Sequence, residues 1–165
     1  MPPSSSGPTR IERDGVELEL VGPAPSRGPV RPPSTRTKAR KRALDILFEA
    51  ELRGLEPLAL LTERRGEDTT PPVRVFTAEL VHGVVEHRAE IDQRIGAALR
   101  EGWSLTRMPR IDRNLCRLAT FEILHTELAS NVAVAEAVAL AEELSTDESA
   151  SFVNGLLSRI LAEAR

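Results

Sequence analysis

Apolar residues recur at three- and four-residue intervals along most of this chain, the spacing that lines one face of an α-helix. Ala39, Ala43, Ile46, Leu47 and Ala50 form the first such stripe, and Gly54 supplies a stop. A short helix is expected from Pro57 to about Arg64. GEDTTPPV then interrupts the pattern, with Thr70 as the expected N-cap and Pro71 in the first turn of the next helix. That helix is predicted to run to about Arg100 through Val73, Phe76, Leu80, Val84, Ile91, Ile95 and Ala98. Gly102 ends it, and Pro109 introduces another with Ile111, Leu115, Leu118, Ala119 and Ile123 facing inward. Val132 to Leu144 is rich in alanine and strongly helical. Ser145-Thr-Asp-Glu148 has the form of a capping box and opens the last helix. The pattern predicts an all-α fold, a compact bundle of six or seven helices.

One stretch of that last helix tests the pattern. FVNGLL contains Asn154-Gly155, a strong hairpin-turn signal. Yet Ser149, Phe152, Val153, Leu156, Leu157 and Ile160 keep the helical spacing, so Gly155 is expected inside a helix, at about 1 kcal/mol relative to Ala. It falls well away from the apolar stripe. Something else is expected to approach that flank closely, either a packed helix or a bound RNA or partner chain.

Residues 1–35 break the rhythm. They hold eight of the twelve prolines, with Gly and Ser, and cannot bury enough apolar area to offset their ordering entropy. A disordered arm over 1–35 and a helical domain over 36–165 are expected. GVELELV (Gly15 to Val21) alternates as a strand would, but a strand without a partner is not stable. At 165 residues, one domain burying roughly two-thirds of its unfolded surface needs no disulfide or metal. The single Cys116 sits among apolar neighbours, as a reduced core cysteine does. No apolar run is long enough to span a membrane, and MPPSSSGPTR lacks the order of a signal peptide. The expected location is cytoplasmic, with no membrane partner.

Charge changes the picture. The chain carries −3, with four basic and four acidic groups in residues 1–35. Arg36, Lys38, Arg40, Lys41 and Arg42 add +5 within seven positions, leaving −8 on residues 43–165. A concentrated basic segment on an acidic body points to a local polyanion site. With Ala39 at zero, Lys41, Leu44, Phe48 and Leu52 fall between about 140° and 220° around the helix. Two readings of that face stay open. Either the helix is buried on both sides, or Lys41 and Phe48 form a charge-plus-ring surface of the kind that binds single-stranded nucleic acid.

Other chemistry finds no support. His82 and His87 lie about 140° apart on a helix, and no second cysteine completes a zinc set, so no metal is expected. No phosphate-binding glycine loop or nucleophile elbow is present, and neither a catalytic residue nor a cofactor is expected. Trp103, in REGWSL between two helices, is expected to close the core.

Five blocks in series carry a family resemblance: ARKRALDILFEAELRG, LVHGVVEHRAEIDQRI, IDRNLCRLATFEIL, NVAVAEAVALAEEL and SFVNGLLSRI. In order and separation they resemble the NusB family of bacterial transcription antitermination factors, over about residues 36–163. The resemblance implies an all-α, NusB-like bundle of two helical halves. It implies binding of boxA-type RNA from ribosomal RNA operons, together with a small-subunit ribosomal protein (NusE), in a complex assembled on RNA polymerase with other Nus factors. It places Arg36, Lys38, Arg40 and Lys41 on phosphates, Phe48 on a base, and Glu148 and Phe152 in a second RNA patch. Glu122 falls on the surface that faces the ribosomal protein. Departures from the family pattern are Thr37 within the basic run, Phe48 where Tyr is frequent, Val134-Ala135-Glu136 for Ile-Asn-Glu, and Ala129 for Pro.

Two rivals follow. One is an RNA-targeting module related to ribosomal RNA cytosine methyltransferases, disfavoured because no cofactor-binding α/β segment follows Arg165. The other is a helical protein–protein adaptor that binds no RNA. A homodimer through the Lys41/Leu44/Phe48 face is a further candidate assembly, and it would cover the RNA surface. If five cations each meet a phosphate, the single-strand salt slope should be about −3.5, from about −0.7 per contact.

Overall fold

The computed structural model describes residues 33–66 and 72–164 in full, and the backbone of residues 10–13 and 16–19. The chain divides into two units, Met1–Pro32 and Pro33–Arg165. In the first, strand β1 (Arg10–Arg13) pairs antiparallel with β2 (Val16–Glu19), Arg10 opposite Glu19 and Arg13 opposite Val16. Within the alternation read over Gly15 to Val21, the segment Val16–Glu19 therefore has a strand partner. Asp14-Gly15 lies between the two strands in sequence, and Asp-Gly is a favoured two-residue hairpin connection. Most of the arm expected to be disordered lies outside the described residues.

The second unit holds seven α-helices among the described residues. They are α1 (Thr35–Arg53), α2 (Pro57–Gly66), α3 (Val75–Glu86), α4 (Arg88–Ala98), α5 (Arg110–His125), α6 (Ser130–Leu144) and α7 (Asp147–Glu163). A 3-10 turn spans Leu105–Arg107. Helices α1 to α3 pack together as one half, and α4, α6 and α7 close around α5 as the other. Helix α5 also contacts α1 and α3, so it joins the halves. Its central position explains why Asp112 to Thr120 are buried without a break. The stripe read from α1 (Ala39, Ala43, Ile46, Leu47, Ala50) faces inward, meeting a core that includes Leu60, Leu80, Val84, Ile91, Ile95, Leu115, Leu156 and Ile160.

Three local expectations change. The helix expected from Pro71 begins at Val75, because Pro72 to Arg74 are not helical; the proposed cap Thr70 lies outside the described residues. The single long helix to Arg100 is two helices that break at His87 (φ −103°, ψ 16°). The cap of α7 is Thr146, whose hydroxyl accepts the Ser149 N–H at 3.1 Å, so the cap lies one residue beyond Ser145. Ser145 instead donates to Asp112 at 3.0 Å, and Ser149 donates to the same carboxylate at 2.8 Å. A buried carboxylate needs such donors, and the two serines supply them.

Gly83 has a packing role that periodicity does not show. A Cβ there would run into the Phe121 ring of α5, so glycine permits the close approach of α3 to α5.

Candidate RNA-binding surface

The basic run occupies the first two turns of α1. Ser34 caps the helix by accepting the Thr37 N–H at 3.1 Å, and no acidic residue sits in the first turn. Cations at a helix N-terminus oppose the helix dipole, so these charges do not serve α1 itself.

The individual side chains differ sharply in situation. Arg36 and Lys38 are exposed. The Arg36 guanidinium lies 5.1 Å from the centre of the Phe76 ring, and that of Arg40 lies 5.3 Å from it. Arg40 is buried at 5 % exposure, where its Nε donates to both Glu122 oxygens, at 2.8 and 3.2 Å. Glu122 is itself 2 % exposed. Burial pushes its carboxyl above the usual range, with Arg40 opposing the shift and Glu136 adding to it. Two residues expected on separate surfaces, one facing phosphate and one facing a protein, are thus bonded to each other inside the fold. Glu136 lies 3.7 Å from Arg40 Nη1 and accepts a hydrogen bond from Thr37 at 3.0 Å. The Thr37 that interrupts the basic run therefore ties α1 to α6.

Lys41 reaches the surface, where its Nζ meets Glu143 of α6 at 2.5 Å; that bond holds the ammonium pKa above its ordinary value. On the same face Leu44 is buried at 2 % exposure and Phe48 is half-buried, while Leu52 is exposed. The face is core at Leu44 and open at Lys41, which combines the two readings of it.

A second group forms where α6 turns into α7. Glu148 is exposed in the first turn, and Phe152 is half-buried one turn later. The Phe152 ring lies 5.5 Å from that of Trp103, inclined at 44°. Trp103 was expected to close the core; it is instead 49 % exposed, because it projects from the connection between α4 and α5. The flank of Gly155 is open too. A Cβ there would meet only the Arg159 guanidinium, at 3.6 Å, so no helix packs on it among the described residues. The Lys41–Glu143 pair links α1 to the last turn of α6, and the corner that follows leads directly into the first turns of α7.

A separate cleft of about 510 Å³ is lined by Glu79, Glu122 and Glu127 along with Arg36, Phe76 and Leu128. Three carboxylates around a part-apolar floor suit a basic protein segment.

Histidines do come together, though not the pair that sequence spacing addresses. His87 and His125 stack with ring centres 3.7 Å apart, and Glu90 lies 2.8 Å from His125 Nε2. Their donor atoms lie within 4.8 Å of one another, so these are residues with which a cation could be held. Only His125 is within hydrogen-bond distance of Glu90, His87 Nδ1 lying 3.9 Å from the same carboxylate oxygen. Cys116 is fully buried, and burial pushes its thiol far above the usual range. No helix among the described residues is long and apolar enough to cross a membrane.

The comparisons agree with this architecture. A transcription antitermination protein NusB of Cutibacterium acnes is 53 % identical over 128 residues, 78 % of this chain. The match spans only about half (49 %) of that relative's length. The NusB of Acidothermus cellulolyticus is 54 % identical over 77 % of this chain and 87 % of its own. The backbone superposes with a TM-score of 0.64 on a chain from a crystal structure of antitermination factors NusB and NusE in complex with dsRNA. That likeness covers 78 % of this chain and 96 % of the other, at 28 % identity. Residues 37–162 match the NusB family, and with the helical order and the basic first helix described above, the chain belongs to that family.

Proposed function

We propose that the chain is a transcription antitermination factor that binds boxA-type RNA of ribosomal RNA operons jointly with a small-subunit ribosomal protein of the NusE type. In this reading it works by binding rather than catalysis, in the cytoplasm, and helps assemble a complex on RNA polymerase with other Nus factors. The observation that carries the reading is the placement of the exposed cations Arg36 and Lys38 against their own helix dipole at the start of α1. Arg36, Lys38 and Lys41 meet phosphates, Phe48 and Phe152 meet bases, and Glu148 accepts a donor from a base or ribose. Arg40 acts from inside, holding α1 against α5 through Glu122 so that the neighbouring cations are presented outward. The carboxylate-lined cleft receives the basic ribosomal protein, with Glu79 and Glu127 at its rim and Glu122 at its floor.

A titration of fluorescein-labelled boxA RNA, with and without the ribosomal protein, tests this by anisotropy and mass. Tighter RNA binding when the ribosomal protein is present is the expected result. Absence of RNA affinity under both conditions would remove the proposal and leave a protein–protein adaptor.

A further inference from the structure

The exposed Trp103 is the least expected feature of this surface. Its loop is held rigidly: Arg107 donates to the Gly102 carbonyl at 2.5 Å, and buried Arg113 donates to the Leu105 and Met108 carbonyls at 2.9 and 3.1 Å. Gly102 takes φ +87°, which an L side chain rarely adopts, and so lets the chain turn directly before the indole. The Arg107 guanidinium lies 5.7 Å from the indole ring centre, and Phe152 meets the ring on a tilt. About half of the residue stays open to solvent.

The charge around it is out of character for the body. Residues 43–165 carry −8, yet the connection Leu99 to Arg110 holds Arg100, Arg107 and Arg110 against one acid, Glu101. All four of these side chains are exposed. Arg110 opens α5, where positive charge works against the helix dipole. An open ring with an exposed guanidinium beside it is the arrangement that stacks a base while neutralising its phosphate.

We propose that Trp103, with Arg107, is a further base-stacking position for single-stranded RNA beside Phe152. The inference rests on the RNA-binding reading above and deepens it. A preset loop favours this role, because little rotamer freedom is lost when a base stacks on a ring already fixed in place.

The chain contains one tryptophan and no tyrosine, so its indole emission reports Trp103 alone. The experiment follows that emission and the anisotropy of fluorescein-labelled boxA RNA in one titration, with the ribosomal protein present. Quenching of the indole in step with RNA binding is expected. Trp103→Ala should weaken binding between about 5-fold and about 150-fold, and Trp103→Phe should restore most of it. Circular dichroism of both variants reports whether the fold is kept, and the wild-type quenching stands independently of either. RNA binding without quenching, with Trp103→Ala as tight as wild type, overturns the stacking position and leaves the proposed function intact. Absence of RNA binding overturns both. An indole response to the ribosomal protein alone, or to dilution of the chain, assigns the patch to a protein contact and overturns the inference as well.

Discussion

Replacing Arg40 with alanine separates a surface cation from an internal one. Arg40 is 5 % exposed and its partner Glu122 is 2 % exposed, so the substitution leaves a buried carboxylate without its bonded cation. Glu136, 3.7 Å from Arg40, would then repel Glu122 with only the exposed Arg36 nearby to offset it. Removing one member of a buried pair costs about 3–5 kcal/mol. For a helical unit of this size, that corresponds to a fall in Tm of roughly 10–20 °C, readable by calorimetry or circular dichroism. The sign of the pH dependence follows from Glu122. Its folded pKa is already raised by burial, so between the ordinary glutamate value and the raised one the folded state holds the extra proton. Stability therefore falls as pH rises through that window. Without Arg40 the window extends further upward, and the deficit of Arg40→Ala should shrink as pH is lowered. Pairing Arg40→Met with Glu122→Gln should recover most of the loss, since no buried charge is then left unpaired. The RNA salt slope supplies the second reading. With Arg40 internal, Arg36, Lys38 and Lys41 remain on α1 to meet phosphates, and the contribution of that run to the slope falls from about −3.5 to about −2.1. Neutralising Arg40 should leave that slope in place, whereas Lys41→Gln should reduce it by about 0.7. A wild-type Tm for Arg40→Ala together with a slope reduced by about 0.7 would refute the reasoning.

Other substitutions test other parts of the fold. Gly83→Ala should destabilise by about 1–3 kcal/mol despite alanine's better helix propensity, because its Cβ meets the Phe121 ring; urea denaturation measures it. Thr146→Ala should cost about 1 kcal/mol as loss of the α7 cap. Ser145→Ala should instead act through Asp112, so a double substitution at Ser145 and Asp112 should be non-additive in the same denaturation assay. Glu143→Gln should free Lys41 for phosphate and tighten RNA binding at low salt by no more than about 5-fold, since an exposed pair is weak. Loss of affinity in Glu143→Gln would mean that Glu143 contacts the RNA itself.

Helix type and most inward faces were legible in the sequence, because they depend on neighbours within four residues. The α1 stripe, the Gly54 stop and the helical setting of FVNGLL all hold. Gly54 stops α1 for a local reason, its φ of +66° being one that glycine adopts freely. The break at His87 was not legible. The helical spacing runs unbroken through it, and the residue that stacks on it, His125, comes from the far end of α5. Nor could the strand partner of Val16–Glu19 be seen without weighing the Asp-Gly that precedes it.

The sequence by itself determined that this chain is a helical protein with a basic first helix, and its ordered blocks pointed to the family. Only the tertiary structure decided which cations face water. Arg40 and Lys41 are adjacent in sequence, yet one is buried against Glu122, 82 residues away, while the other meets Glu143 at the surface. The same holds for Trp103, which its place between two helices pointed toward the core and which the α4–α5 connection carries outward. Spacing along a helix sets the direction in which a side chain points. What waits in that direction depends on long-range packing, and a buried charge or an exposed ring is defined only once the packing is complete.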